Sequence, residues 1–339
     1  DKNPYMMISK EGRLYWIIDG YTTANKIPYS DPIRGVGNYI RNSVKSVIDA
    51  YNGSIEFYIS DKEDPLIKSY SKIFPGLFKS LEEMPEDIRS HIRYPKDLFT
   101  IQAYIFATYH MQDPQIFYNK EDLWEIPRQG ERTMSPYHTI MKLYGGEKEE
   151  FILMIPFTPA KRDNMAAWLA ARSDAPNYGK LIIYLFPKQK LIYGPRQIDA
   201  RMDQNSFISQ QITLWSQRGS KVIRGNLLVV PIEESLLYVE PLYLSAEEGS
   251  LPELRRVIVA YGNKLAMEEN LQMALEKIFG AKIPSKDTEE VREVTVQELI
   301  KKAHDIFNQA MKYQREGNWA GYGDEMKRLK DILKKMVQQ

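Results

Sequence analysis

The longest apolar runs of this chain, such as Leu181–Phe186 and Phe151–Ile155, have strand length, and that limits the fold more than any other feature. A helix that spans a bilayer needs roughly 18 or more uninterrupted apolar residues. No segment approaches that, and no secretory leader is visible. The short runs are separated by Pro, Gly, Asn and charged residues. Such a pattern reads as many strands joined by turns, with helices between some of them.

The 339 residues suffice for one large domain or two ordinary ones. Apolar residues make up 43%, which supports a packed core and argues against wholesale disorder. Lys and Arg number 46 against 45 Asp and Glu, a net charge of +1. A nucleic-acid-binding chain usually shows a basic surplus, so no nucleic-acid partner is expected. Cysteine is absent. That removes disulfides, thiolate metal sites, iron–sulfur clusters and cysteine nucleophiles. The chain opens at Asp1 without an initiator Met, which is the expectation for a piece of a longer protein.

The start reads as a hairpin: Tyr5 to Ser9, a turn at Lys10-Glu11-Gly12, and Arg13 to Asp19, with Leu14, Trp16 and Ile18 on one face. Ile40, Val44, Val47, Ile48 and Tyr51 fit one face of a helix from Asn38 to Tyr51, stopped by Asn52-Gly53. Ile55 to Ile59 alternates as a strand. Residues from Asp61 to Tyr118 read as mainly helical. The best helix there runs from Pro95 to about Gln112, striped by Leu98, Ile101, Ile105 and Tyr109 and stopped by Asp113-Pro114. Pro127 to Met134 reads as loop.

The centre is strand-rich. Strands are predicted at Phe151–Phe157, Leu181–Phe186, Leu191–Tyr193, Lys221–Ile232, Leu236–Leu244 and Arg256–Tyr261. Pro187–Lys190 and Glu233–Ser235 suit hairpin turns. Helices are predicted at Asp163–Arg172, Ser206–Arg218 and Met267–Phe279, with Gly219 and Gly280 as helix stops. Ala281 to Glu293 is polar, carries Pro284 and reads as a linker. Beyond it, Val296, Leu299, Ala303, Ile306, Ala310 and Tyr313 form one helical seam. Trp319, Tyr322, Met326, Leu329, Leu333 and Met336 form another, with Gly317-Asn318 between them as stop and cap. The order lacks a regular βαβ alternation. The predicted class is α+β: a mostly antiparallel or mixed sheet with flanking helices, plus a C-terminal antiparallel helical hairpin. The domains expected are residues 1–280, a linker over 281–293, and the hairpin over 294–339.

Several stretches together carry a family resemblance. They include Leu14-Tyr15-Trp16-Ile17-Ile18-Asp19, Asn38-Tyr39-Ile40-Arg41-Asn42-Ser43-Val44-Lys45 and Ile73-Phe74-Pro75-Gly76-Leu77-Phe78. Further ones are Ala107-Thr108-Tyr109-His110-Met111, Pro156-Phe157-Thr158-Pro159, Arg162-Asp163-Asn164-Met165 and Trp168-Leu169-Ala170-Ala171-Arg172. Val222-Ile223-Arg224-Gly225-Asn226-Leu227-Leu228 and Val239-Glu240-Pro241-Leu242-Tyr243-Leu244 complete the set. The chain resembles Uncharacterised Protein Family 0182, large bacterial membrane proteins, over about Tyr5 to Gly280. The resemblance implies a parent with several N-terminal spanning helices and a large soluble part outside the cytoplasm, of which this chain is the C-terminal section. It lends no catalytic residues.

Candidate chemistry is sparse. The four histidines are His91, His110, His138 and His304, and none forms a two-histidine helical metal pair. His110 and Asp113 lie a turn apart, with Glu121 and Asp122 nearby, but a catalytic zinc site normally takes three protein ligands. No metal and no cofactor is expected. Lys161 and Arg162 follow a strand and precede the helix predicted at Asp163, where an anion could meet free N–H groups. Asp163 is itself a good cap for that helix. Arg196, Arg201, Arg218, Lys221 and Arg224 form a basic series around Asp199 and Asp203. It reads as a salt-bridged surface, or as a site for lipid headgroups or an anionic envelope polymer. The anion candidates are therefore Lys161, Arg162, Arg196, Arg201 and Arg224. No Gly-x-Ser-x-Gly elbow is present.

Two functions fit. One is a non-catalytic extracytoplasmic binding or docking module of an integral membrane protein, supporting transport or envelope organisation. Its partners would be the parent's spanning segments and another envelope protein, anionic lipid or glycan. The other is an envelope hydrolase or transferase. A cleft with two carboxylates of raised pKa would favour the latter.

Overall fold

The computed structural model describes residues 1–280 apart from 144, 218, 233–234 and 247–250, and beyond them 296–315, 318, 321 and 323–330. The chain divides into two compact units, Asp1–Ile278 and Phe279–Gln339. The fold is α+β, and among the described residues the sheets are antiparallel at all but one pairing.

The first sheet runs β1 (Tyr5–Ile8), β2 (Leu14–Ala24), β3 (Tyr39–Asp49), β4 (Ile55–Ile59) and β5 (Phe78–Ser80), in that order. The first hairpin forms where the sequence places it, with Gly12 at φ +79 in its turn. Its core face is Tyr15, Ile17 and Asp19; Trp16 on the opposite face is exposed. Between β4 and the parallel β5 lies α1 (Pro65–Ile73), capped by Asp64, whose carboxylate accepts from the Leu66 and Ile67 N–H groups.

The helix expected from Asn38 to Tyr51 is β3. Ser43, Lys45, Val47 and Asp49 all point inward, a period of two. Three of those four are polar, so the buried face looks hydrophilic in sequence while the β-branched residues imitate a helical stripe. Lys45 and Asp19 are paired beneath the surface. The Lys45 ammonium donates to Asp19 and, at 3.0 Å, to the Arg93 carbonyl, and it lies 5.2 Å from the Tyr178 ring centre. Lys45 is 0% and Asp19 4% exposed. Asp64 is also buried. It accepts from Thr22, Ser43 and Tyr39 hydroxyls besides its two cap bonds. Burial works to raise its pKa, and these hydrogen bonds outweigh it and pull the carboxyl down to about 2.

Helices α2 (Glu86–Arg89), α3 (Lys96–Tyr109) and α4 (Pro114–Asn119) follow. In α3 the buried positions are Leu98, Phe99, Ala103 and Ala107, whereas Ile105 and Tyr109 are exposed. The small alanines let the helix approach the second sheet, so the bulkiest stripe of the sequence is not the buried one.

The second sheet contains β6 (Trp124–Glu125), β9 (Tyr137–Lys142), β10 (Glu149–Pro159), β11 (Ala167–Arg172) and β12 (Leu181–Leu185). Between β6 and β9 a small hairpin pairs β7 (Arg128–Gln129) with β8 (Arg132–Thr133) inside the stretch read as loop. β10 pairs antiparallel with β6, β9 and β11, and β11 with β12. Strand β11 replaces the helix expected at Asp163–Arg172. Ala, Leu and Arg favour helix locally, but this segment is almost wholly buried between two strands, and that packing overrides propensity. Leu191–Tyr193 forms no strand; Tyr193 makes one isolated bridge to Asn164.

Helices α5 (Pro195–Gln204) and α6 (Ser206–Trp215) lead into the third sheet. The sequence reading has α6 but not α5, which it leaves as connecting chain. The sheet orders β13 (Ser220–Arg224), β15 (Ser235–Ala246), β16 (Glu253–Tyr261) and β17 (Lys264–Glu268), with β14 (Leu228–Ile232) also on β15. The single strand expected over Lys221–Ile232 is thus two, broken at Gly225–Leu227. Helix α7 (Leu271–Phe279) ends at Gly280 with φ +73.

In the second unit α8 (Val296–Arg315) is helical, and residues 323–330 are helical again. Ala303, Ile306, Ala310 and Tyr313 are among its less exposed positions, as the seam predicts. Asn318 accepts from the Gly321 N–H at 3.0 Å, a capping bond. The linker over 281–293, Gly317, Trp319, Tyr322, Leu333 and Met336 lie outside the described residues.

Candidate functional site

Of the five anion candidates, three come together. β10 turns back into β11, so no helix starts at Asp163 and the helix-end anion site does not form. Lys161, at φ +63, and Arg162 are exposed in that turn. Arg196 joins them through Asp163, at 3.6 Å and largely in water. The contact is fixed by Gly194: a Cβ there would meet the Asp163 carbonyl at 1.9 Å. Arg201 points elsewhere. It donates to the Gly262 carbonyl at 2.7 Å and lies over the Tyr193 ring. Arg218 lies outside the described residues.

Arg224 lines a cleft of about 550 Å³ that opens between the β7–β8 hairpin, α5 and β13. Gln129 holds the hairpin to the break after β13, donating to the Gly225 carbonyl at 2.9 Å and accepting from the Leu227 N–H at 3.0 Å. The Gly130 N–H donates to Asp199 at 3.0 Å and ties the hairpin to α5. Gly225 is required by close approach, because an added Cβ would lie 2.6 Å from the Pro241 ring.

At the floor Arg224 meets three carboxylates. It donates to both oxygens of Glu240, to Asp203 at 2.8 Å and to Asp199 at 3.2 Å. Glu240 is 0% and Asp199 7% exposed. Burial raises the pKa of both, against the opposing pull of Arg224. Asp199 lines the cleft; Glu240 lies behind Arg224. The sequence reading took Asp199 for part of an exposed salt-bridged surface and did not single out Glu240. The available signal was a carboxylate isolated in the apolar run Leu236–Leu244.

The rim differs from the floor. Arg132 and Lys221 are exposed, and among the described residues neither has a carboxylate partner. Thr133, Ser135 and Asn226 line the same space. The cleft therefore offers unpaired cationic and neutral donors beside two carboxyls, Asp199 and the exposed Glu131. That set matches a ligand with both acidic oxygens and hydroxyl groups.

Two of the four histidines, His110 and His138, serve packing, while His91 and His304 are exposed. His110 stacks on Trp124 at 3.6 Å, its Nδ1 lies 3.0 Å from the Phe106 carbonyl, and its Nε2 lies 3.9 Å from Asp122. Asp113 instead caps α4. Among the described residues no group of three His, Asp or Glu side chains could hold a metal. His138 stacks on Phe151 at 4.9 Å. Burial, with Arg93 and Lys96 nearby, holds its pKa down to about 4.

A family model described as Uncharacterised protein family (UPF0182) matches residues 1–215. A UPF0182 protein of Geotalea uraniireducens (strain Rf4) is 57% identical over 343 residues, covering 100% of this chain and 38% of the relative. One from Pelobacter propionicus (strain DSM 2379 / NBRC 103807 / OttBd1) is 58% identical over 345 residues, covering 99% and 38%. One from Pelotomaculum thermopropionicum (strain DSM 13744 / JCM 10971 / SI) is 55% identical, covering 100% and 38%. The chain thus spans about 38% of the length of these relatives. No solved structure matches.

Proposed function

The chain belongs to the uncharacterised protein family UPF0182, and from that premise we propose that it is a binding module that holds an acidic, hydroxyl-rich envelope ligand in the cleft beside β13. The observation that carries this reading is the pair of unpartnered cations, Arg132 and Lys221, above the Arg224 cluster. A half-buried Arg224 locked by carboxylates shapes the floor, while the unpaired rim charges recognise the ligand. The module works outside the cytoplasm, tethered by segments in the rest of the longer protein. Among the described residues no helix is long and apolar enough to cross a membrane.

Isothermal titration with poly(glycerol phosphate) and with polygalacturonate tests the cleft. Saturable binding by either, weakened about tenfold or more in Lys221→Ala, which is ~1.4 kcal/mol, is the expected result. Equal binding by the parent and the variant removes the proposal. Protease added to spheroplasts carrying the full-length protein should digest this region; protection would place it in the cytoplasm.

A second reading is a hydrolase acting on the same ligand. The raised pKa of Asp199 at the cleft wall favours it. Both Asp199 oxygens already accept hydrogen bonds, from Arg224 and from the Gly130 N–H, which favours a holding role. Cleavage by the parent that is lost in Asp199→Asn, with binding retained, would decide for the enzyme.

A further inference from the structure

Strand β12 forms one edge of the second sheet. At its two ends the Arg172 N–H donates to the Lys180 carbonyl and the Phe186 N–H to the Ala166 carbonyl. Antiparallel ladders alternate between hydrogen-bonded and non-bonded pairs, so the even-numbered residues bond to β11. The N–H and C=O groups of Leu181, Ile183 and Leu185 therefore point out of the sheet. Among the described residues no strand pairs with them.

The same three side chains share the face that carries Leu169, because Ile183 stands opposite Leu169. Leu181 and Ile183 line an apolar groove of about 260 Å³ with Ile105, Phe106 and Tyr109 of α3. Leu185 is 66% and Tyr109 54% exposed. Edge strands that stay single usually carry charge, proline or a bulge. From Leu181 to Leu185 there is none.

We propose that β12 is a self-docking edge, at which two copies of this chain pair antiparallel about Ile183 and continue the second sheet across a twofold axis. The strand is its own complement. With Ile183 opposite Ile183 of the second copy, Leu181 meets Leu185 and the outward donors and acceptors match reciprocally, as an isologous interface requires. Lys180 then stands opposite Phe186, so like charges do not meet. The twofold is normal to the sheet, so both α3 helices lie on one side and the leucine and isoleucine side chains of the two strands form one apolar strip between them.

Sedimentation equilibrium of the 339-residue chain tests this, with two variants. Ile183→Pro removes an outward N–H that β11 does not use, a position where an edge strand tolerates proline. Leu185→Lys puts a charge on the strip at an exposed site. The expected result is a dimer for the parent and loss of the dimer in both variants, each still unfolding in one cooperative transition, with that of Leu185→Lys unchanged. Slowed amide exchange at Leu181, Ile183 and Leu185 in the parent alone would match it. A parent that stays monomeric at high micromolar concentration overturns the proposal, as does a dimer that survives both changes. So does a monomeric parent whose β12 amides become protected only within the full-length protein, since the edge would then belong to another segment of that protein.

Discussion

Lys45 and Arg224 are both cations drawn below the surface by carboxylates, and their surroundings are unalike. Lys45 has one acid partner, Asp19, a backbone carbonyl and a tyrosine ring, and no water reaches it. Arg224 has three acid partners, its side chain is 29% exposed, and one partner forms the wall of a cleft. A sealed pair can only hold β2 to β3 and specify their register. A half-open cluster can do that and also present a surface. The difference locates the candidate site, because a buried charge without access to solvent has nothing to bind.

The sealed pair should contribute the most to stability. Lys45→Met leaves Asp19 buried and unpaired, and chemical denaturation should show a loss of about 3–5 kcal/mol. Adding Asp19→Leu should recover much of it. Arg224→Met should cost less, about 2–3 kcal/mol, since Asp203 stays in water and the two buried carboxylates it leaves, whose pKa values burial already raises, can protonate. Equal losses would mean that solvent access makes no difference, and the contrast would fail.

Acid sharpens the contrast. Asp64 has its pKa depressed from 3.8 to about 2, so its contribution is complete above 3.8 and lost as pH falls through 2. His138 is depressed from 6.5 to about 4, so its contribution is present above 6.5 and lost as pH falls through 4. Asp199 and Glu240 are raised, and their contribution has the opposite sign: it is present below the ordinary carboxylate range and lost as pH rises through their raised values. The first sheet and the Phe151 stack should therefore be acid-labile while the Arg224 cluster is not. Asp64→Asn should cost about 1–2 kcal/mol at neutral pH and flatten the acid limb below pH 3.8. His138→Phe should flatten the limb between 6.5 and 4. Melting curves across pH check both, and an unchanged limb in either variant would show that the group does not carry it.

The smallest effect on folding belongs to the rim. Replacing Arg132 and Lys221 by Ala together should change stability by less than about 0.5 kcal/mol, because both are exposed and unpaired. A large loss of stability would make them structural and would remove the distinction between rim and floor.

The errors of the sequence reading have one cause. In β3 three of the four inward residues, Ser43, Lys45 and Asp49, are polar, so the periodicity that marks a strand is hidden by groups that only find partners across the fold. In β11 the residues favour helix, and only burial between β10 and β12 makes them a strand. The candidate site was half legible. Arg224 is one of five anion candidates in the sequence, in a basic series around Asp199 and Asp203 that lie 25 and 21 positions before it. Its neighbours Gln129 and Gly130 come from a stretch read as loop, 96 positions from Gly225 in the case of Gln129.

The mixed α+β class, the absence of cysteine chemistry, the first hairpin, β4, the long β10, α3 and the amphipathic seam of α8 are legible in the chain alone. Each depends on neighbours within a turn or two, where spacing and turn residues are enough. Only the tertiary structure decided which strands are neighbours, which polar residues go inside, and that a hairpin, a helix and a strand distant in the chain enclose one cleft. Those outcomes depend on register and on the pairing of buried charges, and the energy of a buried charge is set by groups that local sequence does not specify.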